Sequence, residues 1–135
     1  MTDPAFSLRI KDLIDHDELT MEDIQLLNHG RYFRLSDKTK LVVGKNQHEN
    51  EGLESLAAFG DYLFYPAHDE AGASGLGRGD FSRDDMLRLA AGITARYFDA
   101  AKASNEVSVS VRHEDSAQTI VVEPFSDEET KKYLV

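Results

Sequence analysis

The sequence predicts an α+β single domain in which a mixed, largely antiparallel sheet is packed by a long alanine-rich helix and a second, shorter helix. Three observations carry this. Helical and extended patterns alternate along 135 residues with no internal repeat and no low-complexity linker. Val107, Val109 and Val111 alternate with Ser108, Ser110 and Arg112, the period-two mark of a half-buried strand. Met86, Leu89, Ala90, Ile93, Tyr97 and Ala101 recur at helical spacing within the longest amphipathic stretch. With 41% apolar and 30% charged residues, the chain suits one soluble domain that buries a real core.

The elements follow in order. Leu8 to Ile14 and Met21 to Leu27 read as short helices, the second opened by Thr20 with Asp23 three residues on. They lie in an acidic helical N-terminal segment, 1–29, with seven acids and two bases. Arg31 to Leu35 and Lys40 to Val43, rich in aromatic and β-branched residues, predict a β-hairpin across Ser36 to Thr39. Gly44 breaks the strand, and Asn46 with Glu49 resembles a helix cap, so a helix is expected to about Phe59 and to end at Gly60. Tyr62 to Tyr65 reads as a strand near the sheet's centre. From Ala67 to Gly79 periodicity is lost and four glycines occur, which predicts a mobile loop. Ser82 with Asp85 then announces the long helix, expected to reach about Ser104 and roughly 34 Å in length. Thr119 to Glu123 supplies the antiparallel partner of the valine strand, and Ser126 with Glu129 predicts a capping box for a C-terminal helix or tail, 126–135.

Composition narrows the function. Cysteine is absent, which excludes thiolate catalysis and cysteine-ligated metal sites and fits a reducing compartment. Met1-Thr2-Asp3-Pro4 lacks the basic start of a secretion signal, and no apolar run reaches membrane-span length, so a cytoplasmic protein with no membrane contact is expected. The net charge of −10 repels polyanions as a whole. Against that background, Arg31, Arg34, Lys38, Lys40 and Lys45 face only Asp37 between Gly30 and His48, a local +4 that leaves −14 elsewhere. Such a reversal points to an anion-facing surface, although charge runs also occur as solvated strand edges. Tyr32 and Phe33 alternate across a strand, so one of them is expected to lie exposed beside Arg31 or Arg34 as a platform for an unpaired base.

Catalytic readings are weaker. Gly72 to Gly79 precedes a helix N-terminus where Arg78 could assist a phosphate, but no Gly-Lys-Ser or Gly-Lys-Thr ending follows. The five histidines are scattered, and His68-Asp69-Glu70 lacks the spacing of a metal site. Ser74 in Gly-Ala-Ser-Gly-Leu-Gly has no assignable base. No catalytic residue, metal or cofactor is expected. Asn46 and Asn50 are explained by helix-start chemistry before any ligand contact.

The runs Gly30-Arg-Tyr-Phe-Arg-Leu35, Val43-Gly-Lys-Asn-Gln-His-Glu-Asn-Glu-Gly-Leu53 and Gly60-Asp-Tyr-Leu-Phe-Tyr65, with Ala90, Ala91 and Ala95 and the closing Glu123-Pro124, resemble the NFACT-R domain over about residues 30–125. In that pattern Asn46 and Asn50 hold the paired asparagine positions. The resemblance implies a non-catalytic RNA-binding module, with tRNA the expected RNA and DNA not expected. Relatives of the ribosome quality-control branch carry Trp and His in the aromatic strand and a Pro-Gly-Ser-His turn. This chain has Leu63, Tyr65 and Ala71-Gly72-Ala73-Ser74 there, so it is closer to the branch fused to tRNA thiouridylase-like modules, whose domain has a similar acidic segment before it. The RNA-contact set implied is Arg31, Tyr32, Phe33, Arg34, Lys38, Lys40, Lys45, Asn46, Asn50 and Arg78. The alternatives are a protein-interaction domain of a multidomain assembly and a small nucleotide-using enzyme.

Overall fold

Short-range chemistry starts several elements where the sequence places them. Thr20 and Asn46 accept the backbone N–H groups of Asp23 and Glu49, and Ser126 with Glu129 forms a reciprocal capping box. The computed structural model describes residues 4–135; Met1 to Asp3, read for the absence of a basic leader, lie outside the described residues. The order is α1 (Pro4–Asp15), α2 (Met21–Leu26), β1 (Arg31–Ser36), β2 (Thr39–Val43), α3 (Gln47–Leu56), β3 (Tyr62–Pro66), β4 (Gly75–Gly79), α4 (Asp84–Ala95), a 3₁₀ turn (Asp99–Lys102), β5 (Val107–His113), β6 (Ser116–Val122) and α5 (Asp127–Lys131).

The six strands form one sheet in the order β1-β2-β4-β3-β5-β6. Every neighbouring pair is antiparallel, so the α+β class holds and the sheet expected to be largely antiparallel is antiparallel throughout. The cause is β4, which inserts between β2 and β3 and opposes both. Strand alternation divides the core into two layers. Phe33, Leu41, Val43 and Phe64 pack with α4 on one face, while Tyr32, Val42, Leu63 and Leu76 pack with Leu13, Leu26, Leu27 and Leu53 from α1, α2 with its C-cap, and α3 on the other. All five residues of β2 are therefore buried, as expected for a strand covered on both sides.

Two expectations are overturned. The stretch Ala67 to Gly79 is not a mobile loop throughout, because Gly75–Gly79 is an internal strand paired along both edges. Its glycines sit where bulk is forbidden: a Cβ on Gly75 would come within 2.6 Å of Thr94 Oγ1, and one on Gly77 within 2.5 Å of the Phe81 ring. Small residues here let α4 and Phe81 approach the sheet, and they erase the apolar alternation by which a strand is recognised. The long helix is also shorter than expected. Ser82 is held outside it by a bond from its N–H to Asp80 Oδ1 at 2.9 Å, so α4 begins at Asp84 after Arg83, which makes no side-chain cap. At the other end, Phe98 turns into the core and bridges Gly72, ending the helix at Ala95.

The sheet's two edges differ. Along β1, Arg34 N–H donates to Tyr133 C=O at 2.9 Å and Val135 N–H to Tyr32 C=O at 3.0 Å, with a bridge between Phe33 and Leu134. Along the far side of β6 no described residue forms a strand pair.

Candidate nucleic-acid interface

The cations of the predicted RNA-contact set do not share one face: Arg34, Lys40 and Arg78 form one row, Arg31 and Lys45 line a groove, and Lys38 stands apart from both. Arg34, Lys40 and Arg78 lie in register across β1, β2 and β4, and they point to the layer beneath α1 and α2. There they meet carboxylates. Arg34 Nη2 is 2.8 Å from Asp12 Oδ2 and 2.7 Å from Glu18 Oε1; Lys40 Nζ is 2.9 Å from Glu18 Oε1. Arg78 reaches Asp23 at 2.8 Å and Asp61 at 2.6 Å. Burial alone would lower both guanidinium pKa values, but the hydrogen bonds to these carboxylates more than reverse it, and each is raised. Burial and the hydrogen bond to Asp12 also raise Tyr32. For Glu18 burial pushes upward, and the bonds from Arg34 and Lys40 prevail and lower it. Each cation of this row is paired with carboxylates and largely buried, its side chain 12% exposed for Arg34, 6% for Lys40 and 17% for Arg78, so these three are corrected from phosphate ligands to structural cations.

The exposed stacking platform is corrected as well. Tyr32 and Phe33 are both 0% exposed, because helices cover both faces of β1. Tyr32 Oη donates to Asp12, and Arg34 donates to Tyr32 Oη at 2.9 Å. Lys38 stands exposed at the hairpin turn, at the opposite end of β2 from Lys45 and roughly 20 Å away at strand rise. The phosphate-cradle reading of the glycine stretch lapses too, since the backbone of Gly75–Gly79 is used in pairing and the first turn of α4 carries Asp84 and Asp85.

The remaining cations converge elsewhere. Arg31 at the start of β1, Lys45 after β2, and Arg96 and Lys102 after α4 line one groove of about 560 Å³ with Tyr97 at its wall. Against these four cations the groove presents Glu70 and Asp99, a formal +2 in a chain of −10. The Arg31 guanidinium lies 4.1 Å above the Tyr97 ring, and that of Arg96 lies 6.0 Å from it. Among the described residues, no carboxylate forms an ion pair with Arg31, Lys45 or Lys102, and Arg96 has only a partly exposed contact with Asp127 at 3.2 Å. A second groove of about 620 Å³, toward Glu123 and Phe125, shares Arg96, Tyr97 and Lys102.

Asn46 and Asn50 line the first groove, but their side chains are engaged. Asn46 Oδ1 caps α3, and Asn50 Oδ1 accepts the Ser74 N–H at 3.0 Å, tying α3 to the start of β4. Their positions in the paired-asparagine pattern thus have a structural cause. Sequence reasoning missed Arg96, Tyr97 and Lys102: Tyr97 falls on the apolar face of the helical pattern and does pack in part on the core, and the two cations lie far in sequence from the basic run at 31–45. Among the described residues, no cluster of three or more His, Cys, Asp or Glu could hold a metal ion, and no helix is long and apolar enough to cross a membrane.

Residues 30–134, which contain every cation of this groove, match the family described as the NFACT protein RNA-binding domain. The chain belongs to that family. Among solved structures, it is similar to the C-terminal part of the fibronectin/fibrinogen-binding protein from Streptococcus suis, with a TM-score of 0.66 and 21% identity. The match covers 100% of this chain and 63% of that one, and identity at this level establishes shared architecture alone. No curated protein matches the chain in sequence. The α1–α2 segment, outside the NFACT-R match, belongs to the same folded body, since Leu13, Leu26 and Leu27 are buried against β1 and β2.

Proposed function

We propose that this NFACT-R chain is a non-catalytic RNA-binding module that contacts tRNA through the Arg31–Lys45–Arg96–Lys102 groove, in a tRNA-modification setting beside a thiouridylase-like module. The carrying observation is the convergence of four cations around Tyr97 within the family-matched span of an acidic chain. Phosphates supply affinity through counterion release, and a half-exposed tyrosine flanked by arginines offers a stacking surface to an unpaired base. The concave shape favours a single-stranded turn or end over a duplex. The thiouridylase setting is supported by the resemblance of the acidic N-terminal segment, and a cytoplasmic location by the absence of cysteine. Surrounding acids keep affinity modest.

Binding of unmodified tRNA to the wild type and to a Lys45→Glu/Lys102→Glu variant, measured over a salt series, tests this. Both lysines are exposed, so folding is expected to be unaffected. The variant is expected to bind at least about tenfold more weakly, with the slope of log affinity against log salt reduced by roughly 1.5–2. No binding by the wild type at low salt, or equal binding by the variant, would sink the reading.

A further inference from the structure

The outer edge of β6 is unlike the rest of the surface. The hairpin to β5 pairs Ser116 with His113 across a two-residue turn and continues without a register shift to the Val107–Val122 pair. In an antiparallel ladder begun this way, Ser116, Gln118, Ile120 and Val122 bond to β5. The N–H and C=O groups of Ala117, Thr119 and Val121 therefore point outward. Edges of this length are ordinarily blunted by a lysine, a proline, a bulge or a covering segment. Among the described residues β6 has none of these: its residues are Ser-Ala-Gln-Thr-Ile-Val-Val, uncharged, β-branched toward one end, with Val121 52% exposed. On β1, by contrast, a bulge and the C-terminal residues close the edge.

Charge selects the occupant. Acids bracket the neutral stretch, Glu114 and Asp115 before it and Glu123 after it. A second copy docked antiparallel about Thr119 would set Asp115 against Glu123 at both ends, and a parallel copy in register would set each acid against itself. Like charges in directly opposed positions oppose pairing, so the bracket disfavours self-association. A strand of opposite end charge meets the same positions favourably.

We propose that the outer edge of β6 is a docking site for an extended segment of another protein chain, with an uncharged β-forming centre and Lys or Arg at both ends, which adds a seventh strand to the sheet. The site is separate from the RNA groove and does not depend on it.

The probe is a labelled peptide, acetyl-KTVTVTR-amide, titrated by fluorescence anisotropy in about 50 mM salt, where end charges are weakly screened. Saturable binding is expected, at least about tenfold tighter than that of the glutamate-ended acetyl-ETVTVTE-amide. Thr119→Pro removes an outward N–H that β5 does not use, and edge strands tolerate proline at such positions. This variant is expected to keep its melting temperature within a few degrees and to lose at least about tenfold in peptide affinity. A basic peptide N-methylated at alternate amides is expected to fail equally, which decides the matter should Thr119→Pro not fold. The inference is overturned if neither peptide binds, if both bind equally, if blocking the backbone on either side leaves affinity unchanged, or if sedimentation shows a dimer that Thr119→Pro dissolves.

Discussion

The tripeptide Arg-Tyr-Phe occurs twice, at Arg31–Phe33 and Arg96–Phe98, and the two copies are used in opposite ways. In β1 successive side chains point to opposite faces, and both faces are roofed by helices, so Tyr32 and Phe33 are buried and only Arg31, at the strand's start, reaches the groove. After α4 the chain is covered on one side only. Phe98 enters the core while Arg96 and Tyr97 stay half-exposed, and the Arg31 of the first copy lies over the Tyr97 of the second. Residue type thus fixes what a side chain can do, and the number of covered sides decides whether it holds the fold or stays open at the surface.

The largest effect that sharpens this contrast is expected from truncating each tyrosine. Tyr32→Ala removes a fully buried ring and an Asp12 partner, and is expected to cost about 3–5 kcal/mol in urea unfolding. Tyr97→Ala removes a half-exposed ring only partly packed on the core, and is expected to cost about 1–2 kcal/mol in stability and to weaken tRNA binding by about 1–2 kcal/mol, a several-fold to thirtyfold loss. Equal destabilisation by the two would break the comparison. Next in size is Arg34→Ala, which leaves Asp12 and Glu18 without their main counter-charge and is expected to destabilise by about 3 kcal/mol, whereas Lys102→Glu stays within about 0.5 kcal/mol in the same assay.

The smallest effect is the pH dependence that the buried row contributes. Glu18 is lowered from its ordinary value of 4.5 in the fold, so it binds a proton more readily when unfolded. The stability it contributes is complete above pH 4.5 and is lost as pH falls through the lower, folded value. Urea midpoints are expected to decline below that point, and Glu18→Gln to flatten the decline between pH 5 and pH 3 relative to the wild type. An unchanged pH profile in Glu18→Gln would show that Arg34 and Lys40 do not draw on this carboxylate.

What the sequence reveals follows the range of the interaction. The caps at Thr20, Asn46 and Ser126, both hairpins and the central strand at Tyr62 depend on residues a few positions apart, and they are readable. β4 is not, because its glycines answer to Thr94 and Phe81 and leave no alternation of their own. The division of the cations is hidden for a similar reason. Arg34 and Lys45 look alike in sequence, and only the packing of α1 and α2 on β1 and β2 brings Asp12, Glu18 and Asp23 to one row and leaves the other groove open. Arg96 and Lys102 join Arg31 across more than sixty positions, a proximity no local pattern records.

The closure of β1 by residues 133–135 sets a timetable for synthesis. Phe33 and Leu134 are about a hundred positions apart, so at roughly 5–20 residues per second β1 is made on the order of 5–20 s before the segment that seals its edge. The segments that shelter its two faces arrive at different times: α1 and α2 are already made when Tyr32 emerges, whereas α4, which Phe33 needs, follows some fifty residues later. During that interval the nascent hairpin offers an open strand edge and one bare apolar face, while the acidic helices α1 and α2, joined by α3, shelter the other.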